Sequence, residues 1–101
     1  MRRPNANIGN PTSTRGEQMP LFMDVHRKIE GLTPEGVAGA HEKDLEVQKR
    51  YGVKYLKYWA DTKNGTVFCL VEAPDRESAI RVHREAHGLV ADEIFEVQEG
   101  S

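Results

Sequence analysis

Residues 67–88 read VFCLVEAPDRESAIRVHREAHG, and their reading decides the fold. Val67 to Ala73 is the most apolar run of the chain and predicts a central strand. Pro74 and Asp75 break it, and Asp75 is placed to cap a helix that ends near Gly88. Upstream, Asn64-Gly65 is a turn signal between this strand and a Tyr- and Trp-rich strand, Val53 to Ala60. Before that, Thr33-Pro34-Glu35 starts a first helix, with Thr33 as N-cap and Pro34 in the first turn. It runs to about Tyr51, where Lys49 and Arg50 suit the helix C-terminus and Gly52 can stop it. Leu21 to His26 alternates as a strand does, and Glu93 to Val97 closes the chain as a short strand.

The order βαββαβ is the split βαβ pattern of an α+β, ferredoxin-like fold: an antiparallel sheet with two helices on one face. Within it we expect the first and third strands side by side as a parallel pair, so that the two helices run in one direction. The other sheet face is left open, with Phe22, Phe68 and Leu70 assigned to it. An uncovered apolar face needs a partner, which predicts a homodimer with two sheets face to face, a dimeric α/β barrel. Residues 1–18 (MRRPNANIGNPTSTRGEQ) are poor in apolar side chains and read as a disordered arm ahead of a domain over residues 19–98.

Composition narrows the function. The 101 residues carry a formal net charge of −2, with 38% hydrophobic and 30% charged side chains, which suits one soluble domain. The arm holds +2 of that charge (Arg2, Arg3 and Arg15 against Glu17), leaving −4 on the rest. A nucleic-acid partner would need a clustered basic face. No apolar run approaches a membrane span of about 20 residues. Met1-Arg2-Arg3 has no apolar stretch after it, so no secretory signal is read and a cytoplasmic location follows. The single Cys69 excludes an intrachain disulfide and an all-thiolate metal cage, and reads as a small buried hydrophobe. No glycine-rich phosphate loop or Ser-His-Asp arrangement is visible.

The four histidines carry the functional signal. His41 and Asp44 sit three apart in the first helix, and His83 and His87 four apart in the second, spacings that share a helix face. Imidazole with carboxylate suits divalent transition metals. With helices running in one direction, His41 and His83 would lie at the same height, about 12 Å along each helix, with Asp44 and His87 a turn further on. A second constellation joins His26 and Glu72. With parallel neighbouring strands, both would end at one sheet edge on the open face, as an ion pair, a metal site or a general acid–base pair. His83→Ala and His41→Ala are expected to weaken metal binding without unfolding the domain. Ligand histidines must be neutral, so binding should weaken below about pH 6.5.

Four segments taken together resemble a family. They are Met23-Asp24-Val25-His26, His41-Glu42-Lys43-Asp44-Leu45, Phe68 to Pro74 and Val82 to Gly88, in that order. They are similar to those of the small bacterial nickel-binding, ferredoxin-like proteins, over roughly residues 19–97. The resemblance implies a dimeric ferredoxin-like α+β barrel that binds nickel at surface sites, with a sequestration or storage role. Carried onto this chain, the motif residues are His26, His41, Asp44, Glu72, His83 and His87. The leading expectation is a cytoplasmic homodimer that binds Ni²⁺ or a similar divalent ion and catalyses nothing. The alternative is a small dimeric α/β-barrel enzyme acting on a small molecule, with a Glu72/His26 acid–base pair and Tyr58 in the pocket.

Overall fold

The computed structural model describes residues 19–100; the arm assigned to residues 1–18 lies outside them. The elements follow the expected order. They are β1 (Leu21–His26), α1 (Pro34–Val47), a 3-10 turn (Gln48–Tyr51), β2 (Lys54–Asp61), β3 (Thr66–Glu72), α2 (Arg76–Ala86) and β4 (Glu93–Val97). Local chemistry sets the boundaries. Thr33 Oγ1 accepts from Gly36 N–H at 3.0 Å at the start of α1. Asp75 Oδ1 accepts from Ser78 N–H at 2.8 Å at the start of α2. Gly52 turns left-handed at φ 65° and ends the 3-10 turn, as its lack of a Cβ permits.

The four strands form one sheet in the order β2-β3-β1-β4, antiparallel throughout. Two helices over a four-stranded antiparallel sheet make this a ferredoxin-like α+β fold. The parallel pairing expected for the first and third strands is corrected. The β2–β3 hairpin reverses the chain, so β3 returns antiparallel to β1, with Leu21 opposite Glu72 and His26 opposite Val67. The helices that follow β1 and β3 therefore run in opposite senses. The expected common height of His41 and His83 goes with the same error.

Register and alternation assign the faces. Phe22, Asp24 and His26 of β1 lie with Val67, Cys69 and Val71 of β3 on the helix-covered side. Phe22 is buried in the core with Val37, Tyr55, Val71, Ala79 and Val82, so its expected place on the open face is also corrected. A bulge at Leu56 supplies one extra residue in β2, which puts Tyr55 opposite Val71 and Tyr58 opposite Cys69. Two tyrosines three apart thus share the helix side, where a regular strand would have split them. The open face carries Leu21 and Val25, both buried, with Met23, Phe68 and Leu70, and is flanked by Trp59 (47% exposed) and Phe95 (48% exposed).

Candidate metal centre

Four elements deliver polar side chains into the layer between sheet and helices. β1 supplies Asp24 and His26, two apart and so on one face. Register sets Cys69 of β3 directly beside Asp24. The last turns of α2 lay His83 over them, and α1 brings Asp44 to its other side. Asp24, His26, Asp44, Cys69 and His83 are all buried. Buried polar groups on this scale are costly unless they satisfy one another.

The contacts show how they do so. His83 Nδ1 lies 2.8 Å from Asp44 Oδ1, in a hydrogen bond, and its Nε2 lies 3.0 Å from Asp24 Oδ2. That second carboxylate stands off the line of the ring N–H, and His83 Nε2 has no aligned hydrogen bond among the described residues. Asp24 Oδ1 meets His26 Nε2 at 3.2 Å. The Tyr55 hydroxyl, shared with the Ala79 carbonyl at 3.1 Å, reaches Asp24 Oδ2 at 3.2 Å. His87 Nε2 approaches Asp44 Oδ1 at 3.1 Å.

Charge is arranged to match. Burial alone would raise Asp24, but contacts with His26 and His83 outweigh it and hold the carboxyl far below its usual range. Asp44 is lowered in the same way, burial being overcome by His83 and His87. Burial would lower His83, yet its contacts with Asp24, Asp44 and Cys69 push it up to about 11. Burial lifts the Cys69 thiol to about 11. Burial and the Asp24 charge raise Tyr55 well above its ordinary value. Two buried carboxylates thus share one imidazolium, a setting that favours a cation.

Two donor sets converge within 4.8 Å: Asp24, His26, Cys69 and His83, and separately Asp44, His83 and His87. Tautomers distinguish them. The backbone N–H of Leu89 donates to His87 Nδ1 at 3.1 Å, which leaves the ring proton on Nε2, facing Asp44. In this form His87 is a proton donor to Asp44. His83 has the opposite arrangement. Its Nδ1–H is held by the Asp44 carboxylate while its buried Nε2 faces Asp24, His26 and Cys69. A carboxylate–histidine pair of this kind orients metal-ligating imidazoles. The donors His83–Asp24 and His26–Asp24 stand 3.0 and 3.2 Å apart, close to the spacing of adjacent ligands with bonds of about 2.1 Å. The first set therefore fits a divalent ion with N, O and S ligands.

Of the motif residues, the structure brings together His26, Asp44, His83 and His87. His41 is not among them: it stands against Tyr58, ring centroids 5.0 Å apart. Glu72 is at the far end of β3 on the open face, opposite Leu21 and Lys54. His26 lies on the other face, so the Glu72/His26 pair, as metal site or as acid–base pair, is corrected: it needed parallel strands. Asp24, Cys69 and Tyr55 were missed as site residues. The i, i+2 pairing of Asp24 with His26 on a buried strand was the available signal. Among the described residues, no helix is long and apolar enough to cross a membrane.

Comparison with known proteins agrees with this architecture. No curated protein matches the chain. A solved structure does: SCO4226 from Streptomyces coelicolor A3(2), 44% identical, superposes with a TM-score of 0.75 over 80% of this chain and 99% of that one. The family model described as "Nickel responsive protein SCO4226-like" matches residues 22–97, from the second residue of β1 to the last of β4. The chain therefore belongs to the SCO4226-like family of nickel responsive proteins.

Proposed function

We propose that the protein binds a divalent transition-metal ion, nickel first among them, through Asp24, His26, Cys69 and His83, and that it sequesters or stores that ion. The observation that carries this reading is the state of His83. One ring nitrogen is anchored by Asp44 at 2.8 Å. The other is buried, lacks an aligned hydrogen bond among the described residues, and faces three further donor groups. The family description supports nickel, and imidazole with thiolate is a donor mix that late first-row metals accept. The same reading takes the protein as a cytoplasmic homodimer, the apolar open sheet face supporting the pairing.

Asp44 keeps the Nδ1 proton of His83, so the ring binds through Nε2. Binding must displace the Nε2 proton of His83 and the Cys69 proton. Both groups sit near 11, so the affinity rises with pH through neutrality and beyond. On this reading the weakening expected below about pH 6.5 extends to higher pH as well. Isothermal titration of metal-stripped, tag-free protein with Ni²⁺ at neutral pH tests the reading. Stoichiometric, sub-micromolar binding with release of about two protons, measured in buffers of different ionisation enthalpy, is expected. Absence of stoichiometric binding would overturn it.

A further inference from the structure

The metal reading leaves His41 and Tyr58 without a role, and both stand on the wall of a cavity. That cavity, about 190 Å³, lies between α1, the loop after β1 and the helix side of β2 and β3. Its exposed lining is mostly apolar and includes Ile29, Leu32, Val37, Ala40, Val67 and Leu89. The half-exposed Leu89 marks its mouth. His26, Asp44, Cys69, His83 and His87 also line it, so the cavity shares a wall with the donor cluster. His41 and Tyr58, their ring centroids 5.0 Å apart, also line the cavity and bring polar groups to its wall outside the donor cluster. An apolar cleft with a few convergent polar groups is the usual form of a small-molecule site.

The volume sets the size of the occupant. A cavity of about 150 Å³ accommodates benzene, so this one has room for a single ring and a small substituent. It is also far larger than one metal ion needs. We propose that the cavity binds a small monocyclic apolar molecule bearing one hydrogen-bonding group. Its ring would lie against Leu32, Val37 and Val67, and its polar group would meet His41 and Tyr58. This goes beyond the metal reading and does not rest on it, because neither His41 nor Tyr58 belongs to a donor set.

Phenol and toluene are suitable probes, titrated into the full ¹⁵N-labelled chain and followed by amide shifts. Metal-stripped and Zn²⁺-loaded forms are both measured, so that failure of metal binding leaves the result readable. Saturable shifts centred on residues 32–41 are expected in the metal-stripped form, with phenol bound more tightly than toluene. Tyr58→Phe removes one hydroxyl and should weaken phenol by about five-fold while leaving toluene unchanged. Ala40→Leu should exclude both probes. Lack of saturation by either probe in the parent would overturn the proposal, as would equal phenol affinity in parent and Tyr58→Phe. The amide spectrum of each variant reports its fold directly, and Tyr58→Phe carries the test if Ala40→Leu does not fold.

Discussion

At the scale of the residue, His83 holds the centre together. Its two nitrogens face two buried carboxylates at 2.8 and 3.0 Å. Removing it takes a partner from each, leaving Asp24 with His26 and Tyr55 and Asp44 with His87, so His83→Ala should cost about 3 kcal/mol of stability, the low end for a broken buried pair. The expectation that His83→Ala leaves the domain folded takes no account of this cost, because spacing on a helix does not reveal which ion pairs a side chain completes. Asp44→Asn is the better probe. It keeps the shape, weakens the anchor on Nδ1, and should lower Ni²⁺ affinity by about 10–100-fold in the same titration. His41→Ala should leave that affinity unchanged.

The same residue governs stability against pH. The folded value of His83 lies above its ordinary 6.5, at about 11. Its contribution is therefore fully present below 6.5 and is lost as pH rises toward 11. Asp24 and Asp44 are depressed from 3.8, so their contribution is present above that value and is lost as pH falls below it. Metal-free protein should be most stable between about pH 4 and about pH 6.5, and less so at neutral pH. Urea unfolding midpoints across the pH range check this. A maximum at or above neutrality would contradict the assigned charge state. Sequence placed the histidines but not these partners. Cys69 and Asp24 come together through strand register, which lies between distant segments.

At the scale of the element, most boundaries were legible because they rest on local chemistry. Thr33 and Asp75 act as caps, and Gly52 as a stop, where the sequence puts them. Strand direction was legible too, in the Asn64-Gly65 turn, and the parallel pairing expected for β1 and β3 overlooked it. The hairpin at that turn reverses the chain before β3 and separates His26 from Glu72. The bulge at Leu56 was hidden, since an extra residue leaves no mark on an already irregular alternation. Gly65 shows how tightly the hairpin is fitted. It has φ 65°, accepts Ile29 N–H at 3.0 Å, and leaves a Cβ only 2.8 Å from Ile29 O. Gly65→Ala should cost about 1–2 kcal/mol from the left-handed backbone alone, and more from the collision. The affected loop, residues 27–33, also lines the cavity. A thermal midpoint equal to the parent's would refute this account of the turn.

At the scale of the whole molecule, the ferredoxin-like fold follows from the order of elements, and the sequence expressed that order fully. The layer between sheet and helices holds both the metal-donor cluster and the cavity, while the open face remains apolar. We expect the open face to pair two copies. Sedimentation velocity should give the mass of a dimer for the parent and of a monomer for Trp59→Lys, with unchanged circular dichroism; a monomeric parent would remove the barrel. The central claim concerns the ion, and X-ray absorption at the nickel edge tests it most directly. The account predicts one sulfur neighbour from Cys69 with imidazole and carboxylate donors, the sulfur being lost in Cys69→Ala. A nickel shell of nitrogen and oxygen only, unaltered by Cys69→Ala, would contradict it.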